Sequence, residues 1–536
     1  MHEEGRSSRT ARLGRRAVLG GTMAASLTRP VLAQSPRTLR FIPSANLSLL
    51  DPTITTAGVS LDHGLMVFDQ LYGVDSGQRP RPQMAEGHTV SDDGRTWLIR
   101  LRADLKFHDG EPVLARDAAA SIMRWSARDS FGQALRRFVD TIDQADDRTI
   151  RFRLKRPMGA LTDALAHPAP TPLFILPERL AKTDPFTQVT EMVGSGPFRF
   201  LKDEFVSGSR VAYAKFDGYV PRDEPPDFTS GGKRVWFDRV EWSVIPDSAT
   251  AAAALQKGEV DWYETALIDL VPQLARNPDI VVRNTTRTGL GSIARFNFLN
   301  PPFNNVALRR VVRDAVQQDD YMRAIAGDDP AEYATCYAMF LCGLAGVTEY
   351  GKATMAGPKD MGRLRQSVRD AGYGGEKVVI LNPTDYSFIS SQGLLTAELL
   401  GKLGFNVELQ EMDFGTLLQR RNSKEPTAKG GWSMFHTSAA ALTLVNPAVN
   451  YNTRGPAEGG WAGWYISPEA ERITEAWMAA TTEAERQANF DAAQRLAFED
   501  VPFVPLGFWR PKSAFRKDIT GIVPCDYALF WNVKRA

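Results

Sequence analysis

"KFHDGEPVLARDAAASIMRW", residues 106–125, places a histidine beside an aspartate between two stretches of opposite periodicity. Upstream, "TWLIRLRADLKF" is strand-like. Downstream, "ARDAAASIMRW" is helix-like: Asp117 can cap it, and Ala118, Ser121, Ile122 and Trp125 form one inward stripe. His108-Asp109-Gly110 therefore falls in a connection, where Asp-Gly is a favoured turn pair. A metal site or acid–base centre here would need further ligands close by. After residue 33 only His63, His88, His108, His167 and His436 remain, none at i, i+4 spacing. The segment reads as scaffold, and neither a metal nor a catalytic residue is expected in it.

Outward from this unit, strands and helices alternate. "TIRFRLK" (149–155) puts Ile150, Phe152 and Leu154 on one face and three basic residues on the other, the mark of a half-buried strand. "RVEWSVIPD" does the same with Val240, Trp242 and Val244, and runs into an alanine-rich helix that stops near Gly258. "EKVVILNPTD" is a buried strand. The helix after it carries Leu395, Leu399 and Leu403 and ends at Gly404, and "FNVELQEMD" alternates again, completing a parallel crossover. After "NPPFNN" a helix carries Leu308, Val311, Val312 and Ala315 on one stripe. The fold class is α/β throughout.

With 536 residues the chain exceeds what one core usually supports, so at least two lobes are expected. Its 43% hydrophobic and 24% charged content is that of a soluble globular protein. The net charge of +1 and the absence of basic tracts interleaved with aromatics argue against nucleic acid as a partner. Residues 1–33 hold six arginines against two glutamates; without them 58 basic and 61 acidic residues remain, a net of −3. Arg15-Arg16, a mild apolar stretch from Ala17 to Leu27, and "VLA" before a cut after Ala33 read as a twin-arginine signal peptide. The destination is then the periplasm, reached through the twin-arginine export machinery. In that oxidising compartment Cys336 and Cys342, flanking "YAMFL", can close a small disulfide loop.

Catalytic signatures are missing: there is no Gly-x-Ser-x-Gly elbow, no phosphate loop and no dinucleotide Gly-x-Gly-x-x-Gly. No cofactor is expected, and the chain is not read as an enzyme.

Several segments together resemble the periplasmic solute-binding proteins of ABC importers, of the dipeptide/oligopeptide-binding type (extracellular solute-binding family 5). They are "LDPTITT" (50–56), "PQMAEGHTVSDDGRTWLIRLRADLKFHDGEPVLARDAAASIMRW" (82–125), "VGSGPFRF" (193–200), "IPDSATAAAALQKGEVD" (245–261), "FNFLNPPFNNVALRRVVRDAV" (296–316) and "VPFVPLGFW" (501–509). The resemblance spans nearly all of residues 38–530. It implies a bilobal periplasmic-binding-protein fold with two chain crossings, near 285–295 and 503–510. Lobe I would be 34–290 with an extra subdomain at about 80–190, lobe II 291–505, and 506–536 a C-terminal return to lobe I. It implies a monomeric receptor that captures a small peptide or related solute and delivers it to the permease's transmembrane subunits.

Peptide binders of this family hold the ligand ammonium with an aspartate after a "GW" segment. The corresponding stretch here, "GGWSMFHTSAAALTLVNPAVNY" (430–451), has no acid. Trp432, His436 and hydroxyls would meet the ligand instead. Some dipeptide binders hold the ligand carboxylate with an arginine of the preceding helix, and "DFGTLLQRRNSK" offers Arg420 and Arg421. Tyr386, Trp461 and Trp464 are further candidates for the cleft wall. An enzyme on the same shell, and a receptor for an opine, an oligosaccharide or a metal chelate, remain as alternatives.

Overall fold

The computed structural model describes residues 37–536 apart from 287, 345, 457–459 and 481. The leader expected at 1–33 lies outside the described residues.

Two large sheets organise the chain. The first has seven strands in the order Ile280–Asn284, Lys512–Arg516, Trp262–Tyr263, Thr38–Ile42, Arg239–Ser243, Arg210–Lys215, Phe198–Phe200. Its central strand, Thr38–Ile42, pairs in parallel with Arg239–Ser243 on one side and Trp262–Tyr263 on the other. The helix Ser248–Lys257 makes that crossover. Asp247 caps it through the Thr250 N–H at 2.7 Å, and Gly258 ends it with φ 74°. Phe41, Trp242, Trp262 and Phe530 pack ring against ring over this sheet, with centroids 4.9–5.7 Å apart.

The second sheet has six strands: Tyr333–Ala334, Phe503–Trp509, Leu290–Phe296, Met434–Ala440, Lys377–Pro383, Asn406–Met412. Lys377–Pro383 and Asn406–Met412 are parallel across the helix Ser387–Leu403, which stops at Gly404. That helix sits rotated from its leucine pattern. Leu395 and Leu399 are only half-buried, and the inner face is Ile389, Gln392, Thr396, Leu400 and Leu403. Polar contacts decide the rotation: Thr396 Oγ1 meets His436 Nε2 at 2.7 Å and Tyr321 Oη at 2.9 Å, and Gln392 Nε2 donates to Ser292 and Ser438. A buried hydroxyl or amide costs more unpaired than a leucine costs half-exposed.

The chain passes from the first sheet to the second between Asn284 and Leu290, and returns between Trp509 and Lys512. A third, four-stranded antiparallel sheet (Ala85–Val90, Thr96–Leu101, Thr149–Leu154, Val139–Asp146) stands off the first. Cys336 and Cys342 are disulfide-bonded, their Cα atoms 5.8 Å apart. No helix among the described residues is long and apolar enough to cross a membrane.

The segment 106–125 is framework. The helix spans Ala115–Ser126, and Ala118, Ser121, Ile122 and Trp125 are buried. Asp117 sits one turn in, its carboxylate accepting from the Leu114 N–H at 2.8 Å and the Glu178 N–H at 2.7 Å. His108 ties this loop to "VGSGPFRF". Its Nδ1 accepts from the Gly194 N–H at 3.4 Å, so its Nε2–H donates to Gly196 O at 3.0 Å. Glycine is required at both positions. A Cβ on Gly194 would stand 2.0 Å from Val67 O, and one on Gly196 2.5 Å from Met66 O. Asp109 accepts from the Glu111 N–H and faces Arg179 at 3.4 Å.

Burial holds His108 down to about 4, and His63 and His436 to about 3. Unfolding lets all three bind protons at their ordinary value near 6.5, so their contribution to stability is present above that pH and is lost as pH falls toward 4. His108→Ala should lower stability by about 2 kcal/mol at pH 7.5, since two backbone groups lose their partner. The deficit should narrow at pH 5, where wild type loses the His108 share. Urea melts at the two pH values test this; an equal deficit at both would contradict it.

Candidate functional site

A cavity of about 650 Å³ lies on the seam between the two sheet-based halves. The first half contributes Thr53–Thr56, the run Arg128-Asp129-Ser130, Pro170, Thr171 and Phe186; the second contributes Leu418, Arg421, Lys424, Tyr451, Arg454, Trp461 and Trp464. Contacts cross the seam here. Ser130 Oγ donates to Ala448 O at 3.1 Å, Arg454 donates to Ser130 O, and Arg421 Nη2 reaches Thr56 Oγ1 at 3.4 Å.

Arg421 ends the short helix Phe414–Arg420, which Asp413 caps through the Thr416 N–H. Its side chain is 93% buried, being 7% exposed. Among the described residues no carboxylate lies within salt-bridge distance of it, and its Nε has no hydrogen-bond partner. Its neighbours are faces of aromatic rings: Phe435 at 5.7 Å and Trp461 at 5.6 Å from the guanidinium carbon. Burial lowers its pKa to about 10, which still leaves it charged at neutral pH. Cation–π contact offsets only part of the desolvation of a buried charge. Among the described residues the Arg421 guanidinium therefore faces the cavity without a contacting carboxylate.

The aromatic wall depends on a tight turn. Gly463 has φ 105°, and a Cβ there would stand 2.4 Å from Phe296 O. This brings Trp461 and Trp464 to the same cavity, with Trp461 edge-on to Tyr451 at 4.7 Å.

The only acid among the described lining residues is Asp129, and it is saturated. Its Oδ1 accepts from the Phe131 and Gly132 N–H groups and lies 3.1 Å from His167 Nε2; its Oδ2 accepts from Thr171 Oγ1 at 2.7 Å. Burial would push both members of this pair toward neutrality, yet Asp129 is held below its ordinary value and His167 above it, by their mutual attraction and hydrogen bonds. They form an internal ion pair that caps the helix Ser130–Phe138.

The residues singled out from sequence fall into three places. Arg421 and Trp464, with Trp461, line this cavity. Tyr386 lies at two smaller seam cavities of about 110 and 70 Å³, packed on Phe388 and Phe414. Arg420, Trp432 and His436 do not line the large cavity. Arg420 turns outward to Gln410 Oε1 and Gly430 O. Trp432 is fully buried and backs Trp464 from behind, at 5.9 Å. His436 is in the interior on Thr396. Sequence reasoning passed over Arg128, Thr56, Tyr451 and Arg454. The one local signal was Asp129-Ser130 opening a helix, which announces a cap and says nothing of a cleft.

The fold and this seam define a ligand-capturing protein of two lobes. The model of the bacterial extracellular solute-binding proteins, family 5, matches residues 79–461. "Probable peptide ABC transporter periplasmic-binding protein y4tO" of Sinorhizobium fredii is 38% identical, with 92% of each chain aligned. Glutathione-binding protein GsiB of Pectobacterium atrosepticum is 25% identical over 96% of each. Two solved structures share the fold: the agropinic-acid complex of AgaA from A. tumefaciens R10 (TM-score 0.78, 22% identity, 93% of this chain and 99% of that one) and Helicobacter pylori DppA with the peptide STSA (TM-score 0.76, 22% identity, 93% and 98%). The chain belongs to family 5 of the bacterial extracellular solute-binding proteins. It is the substrate-binding receptor of an ABC importer and works in the periplasm.

Asp129→Asn should behave as a structural lesion. It leaves His167 buried opposite a neutral amide, an effect of about 3–5 kcal/mol for a broken buried pair. The expected result is a lower melting temperature with an unchanged ranking of charged against uncharged ligands. A selective loss of affinity for amine-bearing ligands would instead make Asp129 a ligand acid.

Proposed function

We propose that the receptor captures a small peptide or peptide-like solute by its carboxylate, held by Arg421 and walled by Trp461 and Trp464. The observation that carries this is the buried Arg421 guanidinium, open to the cavity with no contacting carboxylate among the described residues. A bidentate carboxylate would satisfy it and restore charge balance. The peptide named for the Sinorhizobium relative and the anionic ligands named for the glutathione and agropinic-acid binders are in keeping with this chemistry.

In this reading the lobes, 34–290 with 506–536 and 291–505, close as a monomer over the ligand, and the closed form meets the permease. Tyr386, at the seam, senses closure rather than the ligand. Trp432 supports the wall from behind, while His436 ties its strand to the helix Ser387–Leu403 through Thr396. Binding occurs without turnover. Export through the twin-arginine route is supported by Arg15-Arg16. Replacing both with lysine should leave uncleaved precursor in the cytoplasm, visible on fractionation; normal periplasmic accumulation would exclude that route.

Titration calorimetry of refolded, ligand-free protein against a di- and tripeptide library tests the anchor. Arg421→Ala should weaken the best ligand about 100-fold or more, the scale of a lost buried charge-assisted pair. Arg420→Ala should change it less than about threefold, since exposed side-chain contacts contribute little. Wild-type affinity in Arg421→Ala would refute the carboxylate anchor.

A further inference from the structure

Arg421 is not the only arginine on this cavity without a contacting carboxylate among the described residues. Arg128 lines the same cavity from the opposite half of the chain. It donates to Ile54 O at 3.2 Å and lies over the Phe186 ring at 5.1 Å. No carboxylate lies within salt-bridge distance of it among the described residues. Burial lowers its pKa from the ordinary arginine value, against the longer-range attraction of Asp51 and Asp184, both of which are engaged with Arg124. Arg454, by contrast, is fully matched: its guanidinium is bidentate on Glu471, at 2.7 and 2.6 Å. The one described lining acid, Asp129, is consumed by His167 and Thr171.

Two guanidiniums with no contacting carboxylate among the described residues thus face one cavity from the two sides of the seam. A single carboxylate can satisfy one of them. It leaves the other desolvated further as the lobes close over the ligand. A zwitterion fares worse, because its ammonium adds a positive charge to a wall already positive.

We infer that the ligand is a dianion whose second anionic group, distal to the carboxylate on Arg421, is held by Arg128. This rests on the Arg421 anchor and adds the net charge of the substrate class to it: acidic or N-acylated peptide-like molecules with anionic groups at both ends. The arrangement couples charge to closure, since Arg128 and Arg421 approach a common ligand only when the two halves do. A competing feature exists. Asp62 and Glu264 face each other in the 70 Å³ cavity, which shares Thr56 and Pro170 with the large one. Glu264 already accepts from the Ser44 N–H and Asp62 from the Ala528 N–H.

The test uses refolded full-length mature protein and three matched probe pairs. These are N-succinyl-Ala, N-succinyl-Ala-Ala and N-succinyl-Ala-Ala-Ala, each beside its N-succinamoyl analogue, in which an amide replaces the distal carboxylate. At one length the dianion should bind about 10-fold tighter than its amide, the scale of one charge-assisted contact. Arg128→Gln should bring that ratio to within about twofold, while Arg128→Lys keeps part of it. Arg421→Gln should weaken both members of the pair alike. No preference at any length, or a preference that survives Arg128→Gln, overturns the inference. So does tighter binding of Ala-Ala-Ala than of every N-succinyl peptide, which would give Glu264 and Asp62 the role of ammonium site. A preference that depends on Arg128 in a protein indifferent to Arg421→Gln would instead remove only the anchor reading.

Discussion

A guanidinium can be buried only if something compensates it. Elsewhere among the described residues the charge is compensated internally, even where one nitrogen, such as the Arg124 Nε, is left without a hydrogen bond. Arg124 meets Asp51 and the carbonyls of Thr183, Asp184 and Thr187. Arg309 is wrapped by the carbonyls of Phe303, Asp500 and Val501, and Arg295 by those of Asn452, Ala462 and Pro502. Arg421 has ring faces, one distant hydroxyl and an unpartnered Nε. Where those three buried arginines are set against carbonyls and carboxylates, this one faces the cavity instead, which is the ground for the proposed carboxylate anchor.

The surrounding framework holds that position while remaining indifferent to ligand charge. Asp129 and His167 neutralise each other and fix the helix start whose Ser130 touches the second half. Arg454 and Glu471 do the same on the facing side. Because both pairs are closed within the protein, neither competes with Arg421 for an incoming carboxylate. The seam contacts therefore stand on pairs already matched within the protein.

Much of the fold was legible because local signals agreed. Asp247 and Gly258 bound one crossover helix, Gly404 ends the other, and the alternation of "TIRFRLK" survives unchanged in the third sheet. The helix Ser387–Leu403 departed from its pattern because Gln392 and Thr396 had to reach partners on strands about 40 or more residues away in sequence, and in one case 100 away. Periodicity weighs leucines and cannot see such partners. The site was legible only in part for the same reason. Adjacent Arg420 and Arg421 are equivalent in the sequence; one turns to Gln410 and the other into the cavity, because a single step rotates about 100° around a helix. Arg128 carried no signal, since the cavity it lines is completed by residues some 300 positions later.

The seam also carries opposed titrations. Burial and mutual repulsion raise Asp62, and burial raises Glu264 to about 7, so the folded pair keeps a proton that the unfolded chain releases near 4–5. Between roughly pH 4.5 and 7 this pair makes stability fall as pH rises. The buried histidines act the other way over much of the same interval, because there the unfolded chain binds the extra protons. The two sets partly cancel. A flat stability profile across the mildly acidic range would therefore conceal several large shifts, and only the difference between a variant and wild type at each pH isolates one group.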